Sequence, residues 1–142
     1  MASQAKAAYG TKIKMGDGAS PETFTEIPEA GDIKGPNISV KTIDVTTHSS
    51  AASGANEEII PSTINGGEVS FPLNYVEADP MHVALIAACQ ARTKKNFQKV
   101  NPEGTKTIAF AGYVTDIAFS DPVSDKKQAD VTITVSGGLT FS

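Results

Sequence analysis

The stretch that decides the fold class is ADVTITVSGGLTFS, residues 129–142. Apolar side chains stand at every second position from Ala129 to Val135, and Asp or Thr fills the positions between. A period of two is typical of a β-strand with one buried face. The alternation resumes at Leu139 and Phe141, so we expect a bulge or bend at the glycine pair before them. The C-terminal segment therefore predicts a long strand in a half-buried sheet.

The same alternation recurs upstream. Residues 68–75 alternate, and Pro72 places that strand at an edge of the sheet because proline cannot donate to a ladder. In residues 106–119 the apolar positions change from even to odd numbers, which predicts a bulge near Thr115-Asp116. Shorter strands are predicted by similar patterns over residues 11–15, 24–34 and 38–46.

One helix is predicted at about residues 79–92. Asp79 suits the N-cap and Pro80 the first helical position. Arg92 and the lysines after it suit the negative end of the helix dipole. The residues that share the expected apolar face are His82, Leu85, Ile86 and Cys89.

Two stretches carry no periodic pattern. Residues 47–66 are rich in Ser, Ala and Gly and predict a long loop, and residues 1–8 predict a flexible N-terminal arm. Loops longer than about 12–15 residues are usually functional or disordered. With 142 residues, we expect a single mainly β domain over residues 1–142.

Composition excludes several classes of protein. The net charge of −4 argues against a protein that binds nucleic acid by neutralising phosphates. The single cysteine, Cys89, excludes an intrachain disulfide and a cysteine-rich zinc site. We see no signal-peptide pattern and no apolar run near the roughly 20 residues that span a membrane, so no membrane partner is expected.

Asp44, His48 and Ser49 have the side chains of a nucleophilic hydrolase. In a continuing strand, Asp44 and His48 would lie about 13 Å apart, whereas a triad needs contact at about 3 Å. No Gly-X-Ser-X-Gly motif occurs. His82 and Cys89, even with His48, match no common zinc spacing. We therefore expect no catalytic site, no metal and no cofactor.

Five carboxylates crowd a segment that contains neither Lys nor Arg, and they predict a negative surface stripe. They are Asp17, Glu22, Glu26, Glu29 and Asp32.

The order of these features resembles the major tail tube protein of long-tailed, siphovirus-type bacteriophages. The resemblance begins with YGTKIKMGDG (residues 9–18) and is most specific in GPNISVKTIDVTTHSS (residues 35–50). It continues with GEVSFPLNY (residues 67–75), the helix that opens on Asp-Pro, the Phe110-X-Gly112-X-Val114 strand, and VTITVSGG (residues 131–138).

The resemblance implies a β-sandwich or partly closed barrel with one flanking helix. It also implies a structural virion protein, assembled in the host cytoplasm, that forms hexameric rings stacked into the tail tube. DNA passes through without specific binding, and tape-measure, tail tip and tail terminator proteins are implied partners. The arm and the long loop are expected to reach other subunits. The residues expected at these contacts are Ser3, Lys6, Thr47, His48, Ser49, Ser50, Ser53, Asn56, Glu57 and Glu58.

A lumen of negative charge would repel DNA phosphates. We therefore expect some of the five carboxylates of the stripe to line the channel. A tail terminator, the tube protein of a contractile system, and a β-sandwich binding module remain alternatives.

Overall fold

The computed structural model describes residues 2–49, 54 and 56–142, and in these residues the chain forms nine strands and one helix. The elements in chain order are β1 (Lys12–Gly16), β2 (Phe24–Glu26), β3 (Ser39–Asp44), β4 (Ile59–Asn65), β5 (Glu68–Asn74), α1 (Pro80–Ala91), β6 (Lys95–Val100), β7 (Thr107–Ser120), β8 (Gln128–Val135) and β9 (Thr140–Phe141).

Seven strands form one antiparallel sheet, and two form a separate hairpin. The order across the large sheet is β2-β1-β6-β7-β8-β5, with β9 paired to β7. β3 and β4 pair with each other. The fold is mainly β and sandwich-like, as predicted, but the described strands do not close into a barrel.

The C-terminal alternation has the predicted effect. Val131 and Ile133 are buried, and the polar residues between them face away from the core. β8 ends at Val135, and β9 begins at Thr140, so the strand is interrupted at the glycine pair as expected. The bulge predicted in β7 is also present, since the register with β8 shifts between Val114 and Asp116.

The helix covers the apolar face of the sheet and packs against β7. The Asp79 side chain accepts hydrogen bonds from the backbone N–H groups of Met81 and His82, and Pro80 occupies the first turn. Both observations confirm the predicted start of the helix. His82 and Leu85 of the predicted face are buried.

β5 is an edge strand, but a neighbouring segment covers its outer side. Pro72 pairs with Asp130 of β8, and its position without an N–H faces outward. The segment 29–34 lies along that side. The Gly31 N–H donates to the Pro72 carbonyl at 2.7 Å, and the Lys34 and Ser70 backbones exchange two bonds of 2.8 and 2.9 Å. The edge of the sheet that Pro72 predicted at β5 is therefore covered by a segment of the same chain.

Two predictions about elements were wrong. The strand predicted over residues 24–34 ends at Glu26, because Ile27 turns into the core and the chain then crosses to β5. The loop predicted over residues 47–66 is shorter, because residues 59–65 form β4. After the helix, the chain forms β6 with Phe97 fully buried, a strand that the sequence patterns above do not single out.

Candidate assembly surfaces

The hairpin β3–β4 stands apart from the core. Pairing continues beyond the two strands, because the Val45 N–H donates to the Glu58 carbonyl at 2.9 Å and the Glu58 N–H donates to the Thr46 hydroxyl at 2.8 Å. Every residue of both strands is exposed. The alternation of Ile43 and Val45 with Asp44 suggested one buried face, but neither face is buried in the single chain.

Both faces of the hairpin carry apolar side chains. Residues paired across an antiparallel ladder share a face. Ile43 pairs with Ile60 and Val40 pairs with Ile64. The register shifts between Val40 and Thr42, where β4 carries one extra residue. Val40 and Ile43 are an odd number of positions apart on β3, the strand without the extra residue, so these two pairs lie on opposite faces. Ile43 is 48% exposed, Ile60 46% and Ile64 69%. Apolar surface on both faces of a projecting ribbon is typical of a site where proteins associate.

A groove lies where the hairpin joins the large sheet, and we call it the base groove. Its volume is about 330 Å³. It is lined by Ile38, Ile64, Gly66, Gly137, Gly138, Leu139 and Phe141. Gly66 is required by close packing, since a Cβ atom there would lie 2.6 Å from Cγ1 of Val135. The groove is therefore shaped by the contact between the hairpin and the end of β8.

The predicted contact residues fall into two groups. Thr47, His48 and Ser49 lie on one side of the far end of the hairpin, and residues 56–58 lie on the other, all of them exposed. Ser50 and Ser53 lie outside the described residues. Ser3 and Lys6 belong to the exposed N-terminal segment, where the Lys6 ammonium lies 3.2 Å from the carboxylate of Glu103 in the β6–β7 turn. The structure thus brings the loop residues together and places the arm residues elsewhere.

The hydrolase candidates have structural or solvent-exposed positions. The Asp44 carboxylate accepts a 2.8 Å hydrogen bond from the Thr46 N–H, and bonds from the Thr46 hydroxyl and backbone lower the pKa of Asp44. His48 lies exposed in a short 3₁₀ turn. These side chains stabilise the strand end or face water.

His82 has a structural role in the core. Its Nδ1 accepts a hydrogen bond from the Val76 N–H at 3.1 Å, and its Nε2 lies 2.9 Å from the Pro28 carbonyl. Because Nδ1 accepts, Nε2 carries the proton and donates it to Pro28. The ring therefore joins α1 to two loops. Among the described residues, no group of three or more metal-ligating side chains occurs.

The five carboxylates of the predicted stripe are distributed over three places. Asp17 and Glu22 stabilise the β1–β2 turn, where Asp17 accepts bonds from Ala19 and Thr23 that lower its pKa. Glu22 accepts from Gly18 and from Asn96.

The other three carboxylates lie away from that turn. Glu26 on β2 lies 4.0 Å from the Lys12 ammonium. Glu29 accepts a 2.9 Å bond from the side chain of Asn74, and Asp32 lies in the segment that covers β5.

The sequence reasoning missed the apolar residues of the hairpin and the base groove. A signal was present: EEIIPSTIN at residues 57–65 places isoleucines at both odd and even positions, which indicates apolar side chains on both faces of a strand.

Within the described residues, no helix is long and apolar enough to cross a membrane.

Comparison with known proteins gives one family. The family model described as "Lambda phage tail tube protein, TTP" matches residues 8–142. No match was found among curated protein sequences.

Several solved structures share the fold. The tail of an empty gene transfer agent particle, determined with C6 symmetry, has a chain of 18% identity and TM-score 0.79 that covers 97% of this chain and 99% of its own length. A chain of the native gene transfer agent virion has 17% identity and TM-score 0.77, with the same coverage. The SPP1 tail tube has 14% identity and TM-score 0.69, covering 93% of this chain and 76% of its own. At these identities the likeness is one of fold.

Proposed function

Because this chain belongs to the lambda phage tail tube protein family and is a tube-forming structural virion protein, we propose that six copies close into a ring and that rings stack into the tube through which DNA leaves the virion. The observation that carries the proposal is the hairpin β3–β4, which projects from the core with apolar side chains exposed on both faces.

A ring of identical subunits would bury the apolar side chains that the hairpin exposes in the single chain. An isolated two-stranded hairpin is marginally stable in water, and fully burying one isoleucine side chain contributes about 1.5–3 kcal/mol. In a ring, the Ile43–Ile60 face packs on one neighbour and the Val40–Ile64 face on another surface of the assembly. Such a contact joins two different surfaces of the same chain and closes by rotation.

The covered edge of β5 also favours the hairpin as the contact between subunits. An open edge strand is where sheets of two subunits pair most readily, but the segment 29–34 already occupies this one. In the described chain, β3 and β4 pair only with each other. The outer edges of the hairpin are therefore available to a neighbouring subunit.

The charge of the chain suits a conduit for DNA. Six chains of net charge −4 give a ring a net charge of −24. We propose that some of Asp17, Glu22, Glu26, Glu29 and Asp32 face the lumen and repel phosphates, so that DNA passes without binding.

The remaining contacts extend the assembly. The N-terminal segment with Ser3 and Lys6, and the far end of the hairpin with Thr47 and His48, reach subunits of the same or the next ring. A tape-measure protein, a tail tip and a tail terminator bind the tube, which is assembled in the host cytoplasm. The role is structural and not enzymatic.

The test is assembly of the purified chain. Negative-stain electron microscopy and sedimentation over rising concentration should show six-membered rings or hollow tubes. Ile43→Asp should prevent both, because it places a charge on a face that the ring covers. Gln90→Glu adds the same charge on the exposed side of the helix and should leave assembly unchanged.

Circular dichroism must show that Ile43→Asp is folded. Rings formed by Ile43→Asp as readily as by the unmodified chain would refute the hairpin as the joint. An unmodified chain that is monomeric at every concentration would count against the proposed function.

A further inference from the structure

The two sides of the large sheet border one groove, which we call the seam groove. One wall is formed by residues 30–33, from the segment outside β5, and the other by residues 8–11, which lead into β1 near the opposite edge. The volume of the groove is about 800 Å³. Lys99 of β6 also lines it, and its ammonium donates to the Gly35 carbonyl at 2.8 Å. The sheet therefore curls until its edges face each other, and no described strand lies between them.

The wall of residues 30–33 carries unpaired backbone groups. Ala30 lies opposite Leu73 of β5, between the hydrogen bonds that the two neighbours of Ala30 form with that strand. The N–H and C=O of a residue in this position of an antiparallel ladder point away from the paired strand. Ala30, Asp32 and Ile33 form no backbone hydrogen bond in the part of the chain that the structure describes. An extended segment can therefore add to this wall as a further strand.

The N-terminal segment of the same chain, residues 2–7, does not fill the groove. Ala8 and Thr11 close a tight turn, since the Thr11 N–H and hydroxyl both donate to the Ala8 carbonyl, at 3.1 and 2.6 Å. Before this turn the chain runs to the β6–β7 turn, where the Lys6 ammonium lies 3.2 Å from the carboxylate of Glu103. The seam groove is therefore open in the single chain.

The N-terminal segment has the features of a strand that would fit such a groove. All six residues are exposed, and they form no backbone–backbone hydrogen bond within the described chain. In an extended strand they alternate between a small face and a polar face. The small face carries Ser3, Ala5 and Ala7, and the other face carries Ala2, Gln4 and Lys6. Six extended residues span about 20 Å and the four residues of the wall about 13 Å, so the segment is long enough to pair along the whole wall.

The occupant that fits is the N-terminal segment of a second copy. The hairpin β3–β4 would bring two strands about 4.8 Å apart, with isoleucines on both faces, to a wall that offers one row of unpaired backbone. The N-terminal segment of each chain begins at Ala8, on the wall of that chain's own groove. Each copy can therefore donate one segment and accept another, which is a head-to-tail contact between identical chains.

We propose that residues 2–7 of one copy add as a strand to residues 30–33 of a second copy and fill its seam groove. The contact rests on the proposed function, in which the N-terminal segment reaches another subunit, and it names the surface that receives the segment. Because the contact is made by backbone groups, it depends on the size of the side chains on the small face.

Substitutions on the two faces of the segment test this dependence. Ala5→Trp places a large side chain on the small face. It should raise the concentration needed for assembly about ten-fold or more, because the backbone bonds to the wall can no longer form. Gln4→Trp places the same side chain on the other face and should assemble as the unmodified chain does. Both positions are exposed in the single chain, so both variants should keep its circular dichroism spectrum.

Disulfide crosslinking identifies the receiving surface. Cys89→Ser removes the only cysteine. In that background, an Ala30→Cys chain is mixed with a chain that carries a cysteine on the small face, and the assembly is oxidised. The positions tested on the small face are Ser3→Cys, Ala5→Cys and Ala7→Cys. Neighbouring strands bring paired Cα atoms within the roughly 4.4–6.8 Å that a disulfide spans, so at least one pair should crosslink.

Mass spectrometry of the disulfide-linked peptides identifies the crosslinked pair. Replacing the Ala30→Cys chain by a Gln90→Cys chain is the matched control and should give no crosslink. A chain that carries both Ala5→Cys and Ala30→Cys should form no disulfide within the monomer. If it does, the contact is overturned, because the groove then holds the segment of its own chain.

The remaining outcomes separate the contact from the proposed function. Rings or tubes without a crosslink to Ala30→Cys, or equal assembly of Ala5→Trp and Gln4→Trp, would overturn the contact and leave the tube function intact. Crosslinked copies that form neither rings nor tubes would support the contact and count against the tube function. A chain that neither assembles nor crosslinks would overturn the contact and also count against the tube function.

Discussion

The β5–β8 pair and the hairpin β3–β4 are both antiparallel ladders with apolar residues at strand periodicity, yet their apolar side chains have opposite environments. Phe71 of β5 is 2% exposed and lies in the core, whereas Ile60 of β4 is 46% exposed. The difference arises from the neighbours. The inner face of β5–β8 is covered by α1 and the crossing segment 27–34, and in the described chain the hairpin is covered by neither.

Alternation therefore indicates which face of a strand avoids water, but not which molecule covers it. In β5 the cover comes from the same chain. In the hairpin, we propose that it comes from another subunit. The comparison divides the apolar residues into those that stabilise the monomer and those that stabilise the tube, and measurements on single variants can test this division.

The largest effect is expected in the buried ladder. Phe71→Ala should lower the free energy of unfolding of the monomer by about 3–5 kcal/mol, because it removes a fully buried ring and leaves a cavity. Urea unfolding followed by circular dichroism measures this. If the loss is below about 1 kcal/mol, β5 is not part of the stabilising core and the comparison fails.

A substitution in the hairpin should weaken assembly and leave the stability of the monomer nearly unchanged. Ile60→Thr should change the free energy of unfolding of the monomer by less than about 1 kcal/mol, because its side chain is half exposed and contacts mainly Ile43 across the ladder. The same variant should assemble more weakly. A loss of monomer stability as large as that of Phe71→Ala would mean that the hairpin belongs to the core.

The smallest effect concerns the end of the hairpin. Bonds from the Thr46 hydroxyl and backbone lower the pKa of Asp44 below its ordinary value of 3.8. A lowered pKa in the folded state stabilises the fold above the unfolded value, and this stabilisation is lost as pH falls through the folded value. Asp44→Asn should thus lower the melting temperature slightly at pH 7, and the difference should close below about pH 4. A difference that does not change with pH would show that the carboxylate charge has no role there.

The sequence predicted those parts of the fold that local chemistry decides. The helix start follows from Asp79 and Pro80. The β7 bulge follows from the change of the apolar positions from even to odd numbers, because one extra residue in the strand returns the later apolar side chains to the core face. β6 was not predicted, because Lys95 and Lys99 stand on the same side as Phe97. Lys99 is accommodated there by donating to the Gly35 carbonyl at 2.8 Å, a contact with a residue 64 positions away.

The candidate surfaces were predicted only in part. The resemblance placed assembly residues at the far end of the loop. β4 was not predicted, because Pro61, Ser62 and Thr63 interrupt its isoleucines and the segment was included in the predicted loop. The base groove could not be read from the sequence. It forms because Gly66 lies against Val135, and no local pattern predicts that contact.

The packing of Gly66 on Val135 also affects how the hairpin is oriented on the subunit. A glycine at the root of the hairpin usually allows freedom of movement, but here the side chain of Val135 leaves no room for even a methyl group. The contact limits how far the root of the hairpin can move against the end of β8. In a tube joined through this hairpin, the same contact recurs in every subunit, so we expect a side chain added at Gly66 to alter how each subunit meets the next.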